Sequence, residues 1–289
     1  MNHSIRGGVG SIRWGALLFS VPYTLLWARA LVNDGRDASA ILLVVAHGAA
    51  LLWGLAWSDK VDVSRSISPR AGALQRWTLL GADPIAPAVA ILGFFAITPA
   101  LALLAVDWRA GAAVGAMLVG LALFATSRRS RKFSMAEALL PLIILVAPAL
   151  VLGEGPRWSA PEGESPASEL FGAAVYGATF LGAVALGLIV LFAALRDRVR
   201  DLADGLATTA TRAGERGASF VAALWLSAVV ALASMGCGWG WWSWAVPAAA
   251  GLGAAWCAGA MARADWRAAA IRAAMSHAPL AAALALTAA

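Results

Sequence analysis

The chain has 289 residues, of which 61% are hydrophobic and only 13% charged, with a formal net charge of +6 and a mean hydropathy of +0.76. Soluble domains carry about 25% charged residues, so this composition excludes an ordinary globular core and reads as an all-α, polytopic membrane protein, a single domain over residues 1–289. Cys237 and Cys257 lie in or beside apolar runs without CxxC spacing, which argues against both a disulfide framework and a zinc site.

Met1 to Arg13 is short and polar and leads into an apolar run long enough to span, so no cleavable signal peptide is expected. Nine runs are candidates to cross about 30 Å of hydrocarbon. In chain order they are Trp14 to Val32, Ser39 to Trp57, Pro84 to Val106, Gly111 to Thr126, Met135 to Leu152, Leu170 to Leu195, Gly217 to Met235, Trp241 to Met261 and Ala268 to Ala289. Gly111 and Gly115 form a GxxxG pair, and Gly172, Gly177, Gly182 and Gly187 recur along the sixth run, as bundle packing in lipid favours. Trp53, Trp57, Trp77, Trp108, Trp158, Trp241, Trp242 and Trp266 fall near the predicted helix ends, where an interfacial belt belongs.

Lysine and arginine crowd the amino-terminal tail and the connections after the second, fourth, sixth and eighth runs, whereas Arg29, Arg36, Arg109 and Arg157 stand on the other side. The positive-inside rule then puts the amino terminus and these connections in the cytoplasm, with a bacterial inner membrane as the expected location. Topology alone accounts for the basicity, so no nucleic-acid partner is expected. The connection GEGPRWSAPEGESPASE on the opposite side is acidic and rich in Pro, Gly and Ser, a flexible linker without visible site chemistry.

Chemistry concentrates where the sixth run ends, in LRDRVRDLADGLAT, Leu195 to Thr208. Continued as a helix, this stretch gathers Asp197, Asp201, Asp204 and Thr208 within an arc of roughly 60° and leaves Arg196, Arg198 and Arg200 outside it. Carboxylates at that density repel one another unless a cation or basic group lies between them, and Mg²⁺ prefers such oxygen ligands. After the second run, Asp59 and Asp62 are helical neighbours, followed by Arg65 and Arg70. Four crossings separate the two clusters, so both face the same side. Facing acidic clusters at the mouth of a bundle can hold Mg²⁺ ions that bridge to a diphosphate.

At these residues the chain resembles the UbiA superfamily of intramembrane prenyltransferases. Its members have nine transmembrane helices, an aspartate motif of the form NDxxDxxxD after helix 2 and another, DxxxDxxxGxxT, after helix 6. The second is matched in full by Asp197, Asp201, Gly205 and Thr208, with Gly214 following, and LRDxxxDxxxG is similar to the menaquinone and related branches. The first is matched in part: Asp59 and Asp62 are present, with Ser58 in place of Asn and Ser66 in place of the third Asp. A Lys-Arg pair usual after helix 4 has its counterpart in Arg131 and Lys132.

The resemblance implies a nine-helix bundle of UbiA type and Mg²⁺-dependent transfer of an isoprenyl group from a prenyl diphosphate to a lipophilic, aromatic-type acceptor, as in quinone biosynthesis. Asp59, Asp62, Asp197 and Asp201 would bind metal, with Asp204 as a further ligand. Arg65, Arg70, Arg131 and Lys132 would contact the diphosphate, in a site bordered by membrane lipid. Glu137, just inside the fifth run, is the candidate acceptor-side residue, whereas His47 and His277 are expected to hydrogen-bond between helices. Phe19, Tyr23 and Trp53 are candidates to line a cation's path. Two alternatives stand beside transfer: a membrane terpene cyclase of the same superfamily, and a silent scaffold or transporter. The sequence shows no obvious repeat of broken helices around an intramembrane charge, which argues against a transporter.

Overall fold

A computed structural model describes residues 8–33, 35–63, 85–127, 136–153, 166–203, 205 and 207–287, and among them every regular element is helical. They are α1 (Gly8–Asn33), α2 (Asp37–Val63), α3 (Ile85–Val106), α4 (Trp108–Ser127), α5 over 136–153, α6 (Pro166–Ala203), α7 (Thr209–Gly238), α8 (Ala245–Met261) and α9 (Trp266–Thr287). Six of them, α2, α3, α4, α6, α7 and α9, are long and apolar enough to cross a membrane. Of its membrane-spanning stretch, α6 buries 78%, against 28% for α3 and 22% for α7, so α6 is the central helix. It packs against α1, α5, α7 and α9.

Side-chain contacts fix the direction of each helix. Trp27 of α1 donates to Thr179 Oγ1 of α6 (3.0 Å), while Tyr23, one turn earlier on α1, covers Gly182, one turn later on α6. The two helices are therefore antiparallel, and α6 ends where α1 begins. Because α2 turns back along α1, meeting it at Thr24 and His47 (3.1 Å), α2 also ends there. The turns carrying Asp59, Asp62, Asp197 and Asp201 thus lie at one end of the bundle, as expected from the even number of crossings. At the opposite end, Arg36 before α2 forms an ion pair with Asp107, the residue that separates α3 from α4. Asp107 is 5% exposed, and its Oδ1 also accepts from Ala110 N (3.3 Å) at the start of α4.

Inside α5 the chain passes from Ala136–Pro141 through a π turn, Leu142–Val146, into Ala147–Gly153. Pro148 has no N–H to offer the Ile144 carbonyl one turn back. That carbonyl accepts instead from His47 Nε2 (3.0 Å), and His47 Nδ1 meets Thr24 Oγ1. The histidine therefore bridges three helices, and His277 meets the Tyr23 hydroxyl (3.4 Å). Both satisfy the interhelical expectation. Tyr23 is 0% exposed and packed into the core, so it does not line an open path.

Several expected boundaries move. The α6 helix starts at Pro166 and runs to Ala203, well past Leu195, and α4 starts at Trp108 rather than Gly111. The turn at Gly240 (φ 75°) delays α8 from Trp241 to Ala245. Trp242 is no belt residue: it is 5% exposed, donates to Ala233 O (2.8 Å) and lies over Gly236, where any side chain would collide with its ring. The GxxxG pair is used on one side only, because Gly111 abuts Leu104 whereas Gly115 faces open space.

Candidate functional site

The helical arc expected through Thr208 is broken. The α6 helix stops at Ala203, and Gly205 takes a left-handed conformation (φ 66°) with its N–H on Leu202 O (3.1 Å). Glycine adopts that backbone without a Cβ clash, which explains its place in the motif. Thr208 begins the next helix as its N-cap. Its Oγ1 accepts from Thr211 N (3.2 Å) while its own N–H donates to Thr211 Oγ1 (2.8 Å), a reciprocal cap that satisfies two otherwise orphaned donors. Gly214 (φ 71°) then kinks α7 after its first turn. Of the motif's four positions, Asp197 and Asp201 are ligand-type carboxylates, and Gly205 and Thr208 shape the turn that follows them.

Arg196 grips Asp197 through two parallel bonds, Nε to Oδ1 (2.8 Å) and Nη2 to Oδ2 (2.7 Å), with both side chains about a quarter exposed, 22% and 26%. The guanidinium also feels the charge of Asp201, one turn on and 3% exposed. One arginine thus offsets the mutual repulsion of the α6 carboxylates. Arg198 donates to Ala210 O (3.1 Å) and lies 4.0 Å from Glu215, whose Oε1 accepts from Trp266 Nε1 (2.8 Å). This clip ties the ends of α6, α7 and α9 together around the acidic turn.

Asp59 and Asp62 occupy the final turns of α2, and Glu137 the first turn of α5; their side chains lie outside the described residues, as do Arg65, Arg70, Arg131, Lys132 and Asp204 entirely. Among the described residues no group of three His, Cys, Asp or Glu side chains is gathered. Asp197 and Asp201 supply two hard oxygen donors a turn apart on α6, the ligand type that Mg²⁺ takes.

Reading the sequence missed the role of Arg196, although its place beside Asp197 was visible; only the side-chain geometry turns it toward its neighbour. It also missed Arg272, which lies inside the last apolar run. Arg272 donates to Trp256 O (2.8 Å) and stands 5.7 Å over the Trp256 ring, so its charge is anchored to α8. Counting ionisable residues within that run would have found it.

No protein-family model matches this sequence, and no curated protein matches it. Among solved structures, the apo structure of a UbiA homolog from Aeropyrum pernix K1 is similar over 94% of this chain and 97% of that one, with a TM-score of 0.67 at 16% identity. At that identity the likeness establishes a shared fold. With the apolar helices it identifies an integral membrane protein of UbiA fold.

Proposed function

We propose that this UbiA-fold membrane protein is a prenyltransferase that moves an isoprenyl group from a prenyl diphosphate to a lipophilic, aromatic-type acceptor. The observation that carries the reading is that the acid-bearing ends of α2 and α6 lie at one end of the bundle. The shared fold and the complete second motif support it. We assign Asp59, Asp62, Asp197 and Asp201 as Mg²⁺ ligands, with Asp204 as a further one, and Arg65, Arg70, Arg131 and Lys132 as diphosphate contacts. Bound Mg²⁺ supplies Lewis-acid neutralisation of the leaving oxygens.

The work of the chain's own residues follows from their placement. The Gly205 turn and the Thr208 cap hold the Asp197 and Asp201 backbone in one geometry, so the carboxylates need little reorganisation. Arg196 keeps the pair from repelling each other. Apolar helix faces exclude water from the allylic carbon, which water would otherwise capture. Glu137, at the same bundle end, is assigned to the acceptor side. The end bearing these residues faces the cytoplasm of a bacterial inner membrane, with nine crossings in all.

The test is product analysis of the purified chain given Mg²⁺, a panel of prenyl diphosphates and lipid-extract acceptors. A prenylated acceptor is expected. A cyclic hydrocarbon formed without acceptor would establish cyclisation instead, and intact diphosphate across the whole panel would overturn both.

A further inference from the structure

At the same bundle end, but on the outer flank, a groove of about 670 Å³ opens between the start of α7 and the turn joining α8 to α9. We propose that it binds the headgroup of an anionic phospholipid. Arg216 and Phe220 both line it, one helical turn apart on a single face of α7, so a cation stands about 6 Å nearer the bundle end than an aromatic ring. Phe220 is 64% exposed and Met261 forms part of the apolar lining. Trp266 adds an indole, a side chain suited to the boundary between headgroups and acyl chains. That order, charge above and apolar surface below, is the order of a phospholipid entering from the bilayer.

The charge balance has the same sense. Arg216 lines the groove, Arg263 and Arg267 are exposed beside its lining residues Ala262, Ala264 and Trp266 in the chain, and none of the three is ion-paired to a described residue. Of the two acids here, Glu215 lines the groove but its carboxylate is turned to Trp266 Nε1 and Arg198, and Asp265 caps Ala268 N (2.9 Å). An anion is therefore attracted without displacing an internal pair. A free phosphate would use the arginines but gain nothing from Phe220 and Met261; a lipid uses both. The inference rests on membrane placement alone and is independent of prenyl transfer.

The experiment follows the melting temperature of the purified full chain in neutral detergent as phosphatidylglycerol, phosphatidylcholine or soluble glycerol phosphate is titrated. Phosphatidylglycerol is expected to raise it saturably, with little effect from the other two. Arg216→Ala removes the charge, and Ser219→Trp fills the groove without changing charge. Each should weaken the phosphatidylglycerol midpoint roughly tenfold, the equivalent of one charge-assisted contact. Arg29→Ala, exposed at the opposite end, should leave it unchanged. The proposal falls if phosphatidylcholine or glycerol phosphate stabilises equally, or if Ser219→Trp responds like the parent, since diffuse attraction to a basic face would survive that plug. Melting without lipid reports whether each variant folds, and Arg263→Ala on the exposed turn repeats the charge test if Arg216→Ala does not.

Discussion

A buried charge set against a guanidinium is sensitive to substitution of either partner. Asp107 has a nearly buried carboxylate whose charge is met by Arg36. Arg36→Ala should lower stability by about 1–3 kcal/mol, reduced from a fully buried pair because the guanidinium is partly exposed. Adding Asp107→Asn should recover most of the loss in a thermal melt, because the neutral side chain can still accept from Ala110 N. At the candidate site, Asp201→Asn should cut prenyl diphosphate turnover by about two orders of magnitude or more with little change in melting temperature. Turnover equal to the parent would remove the α6 turn from the chemistry. The aspartates were legible in the sequence as a spaced motif, but the Arg196 grip on Asp197 was not, because residues adjacent on a helix ordinarily diverge.

Among the elements, α5 and the α6–α7 hairpin show backbone and side chain compensating for each other. In α5, Pro148 withholds a donor from Ile144 O and His47 supplies one from α2. His47→Leu should therefore cost about 1–3 kcal/mol, the penalty of a buried carbonyl left without a partner. Combining it with Pro148→Ala, which restores an N–H at 148, should regain part of that stability, as measured by denaturation of the two variants side by side. In the hairpin, Thr208→Ala should destabilise by about 1 kcal/mol through loss of the α7 cap. Its activity loss should exceed what that stability change alone produces, because the cap also fixes the turn beneath Asp201. The sequence showed Gly205 and Thr208 as motif letters and suggested an unbroken helix. It could not show that one residue ends a helix and the other begins the next, since helical periodicity is blind to a single left-handed residue placed in register.

For the whole molecule, the ends of the bundle are the testable unit. The α6 end and the turn between α8 and α9 share one face, tied by Arg198, Glu215 and Trp266, while Gly240 and Asp107 mark the other. Cysteines introduced at Ala264 and Gly240 should be labelled from opposite sides of intact inverted vesicles by a membrane-impermeant reagent, with Ala264 on the cytoplasmic face. Labelling of both from one side would refute the assigned topology.

The all-helical fold class, the rough place of the apolar helices and the shared end of the acidic turns were present in the sequence. A bilayer imposes a minimum apolar length on each span, and an even number of crossings returns the chain to the same side whatever the packing. Partners across the bundle were not, among them His47 with Ile144, Tyr23 over Gly182 and Arg36 with Asp107. Those contacts join residues on separate helices, and in lipid, where apolar surface gains little by leaving the solvent, shape and hydrogen bonding decide which helix faces meet.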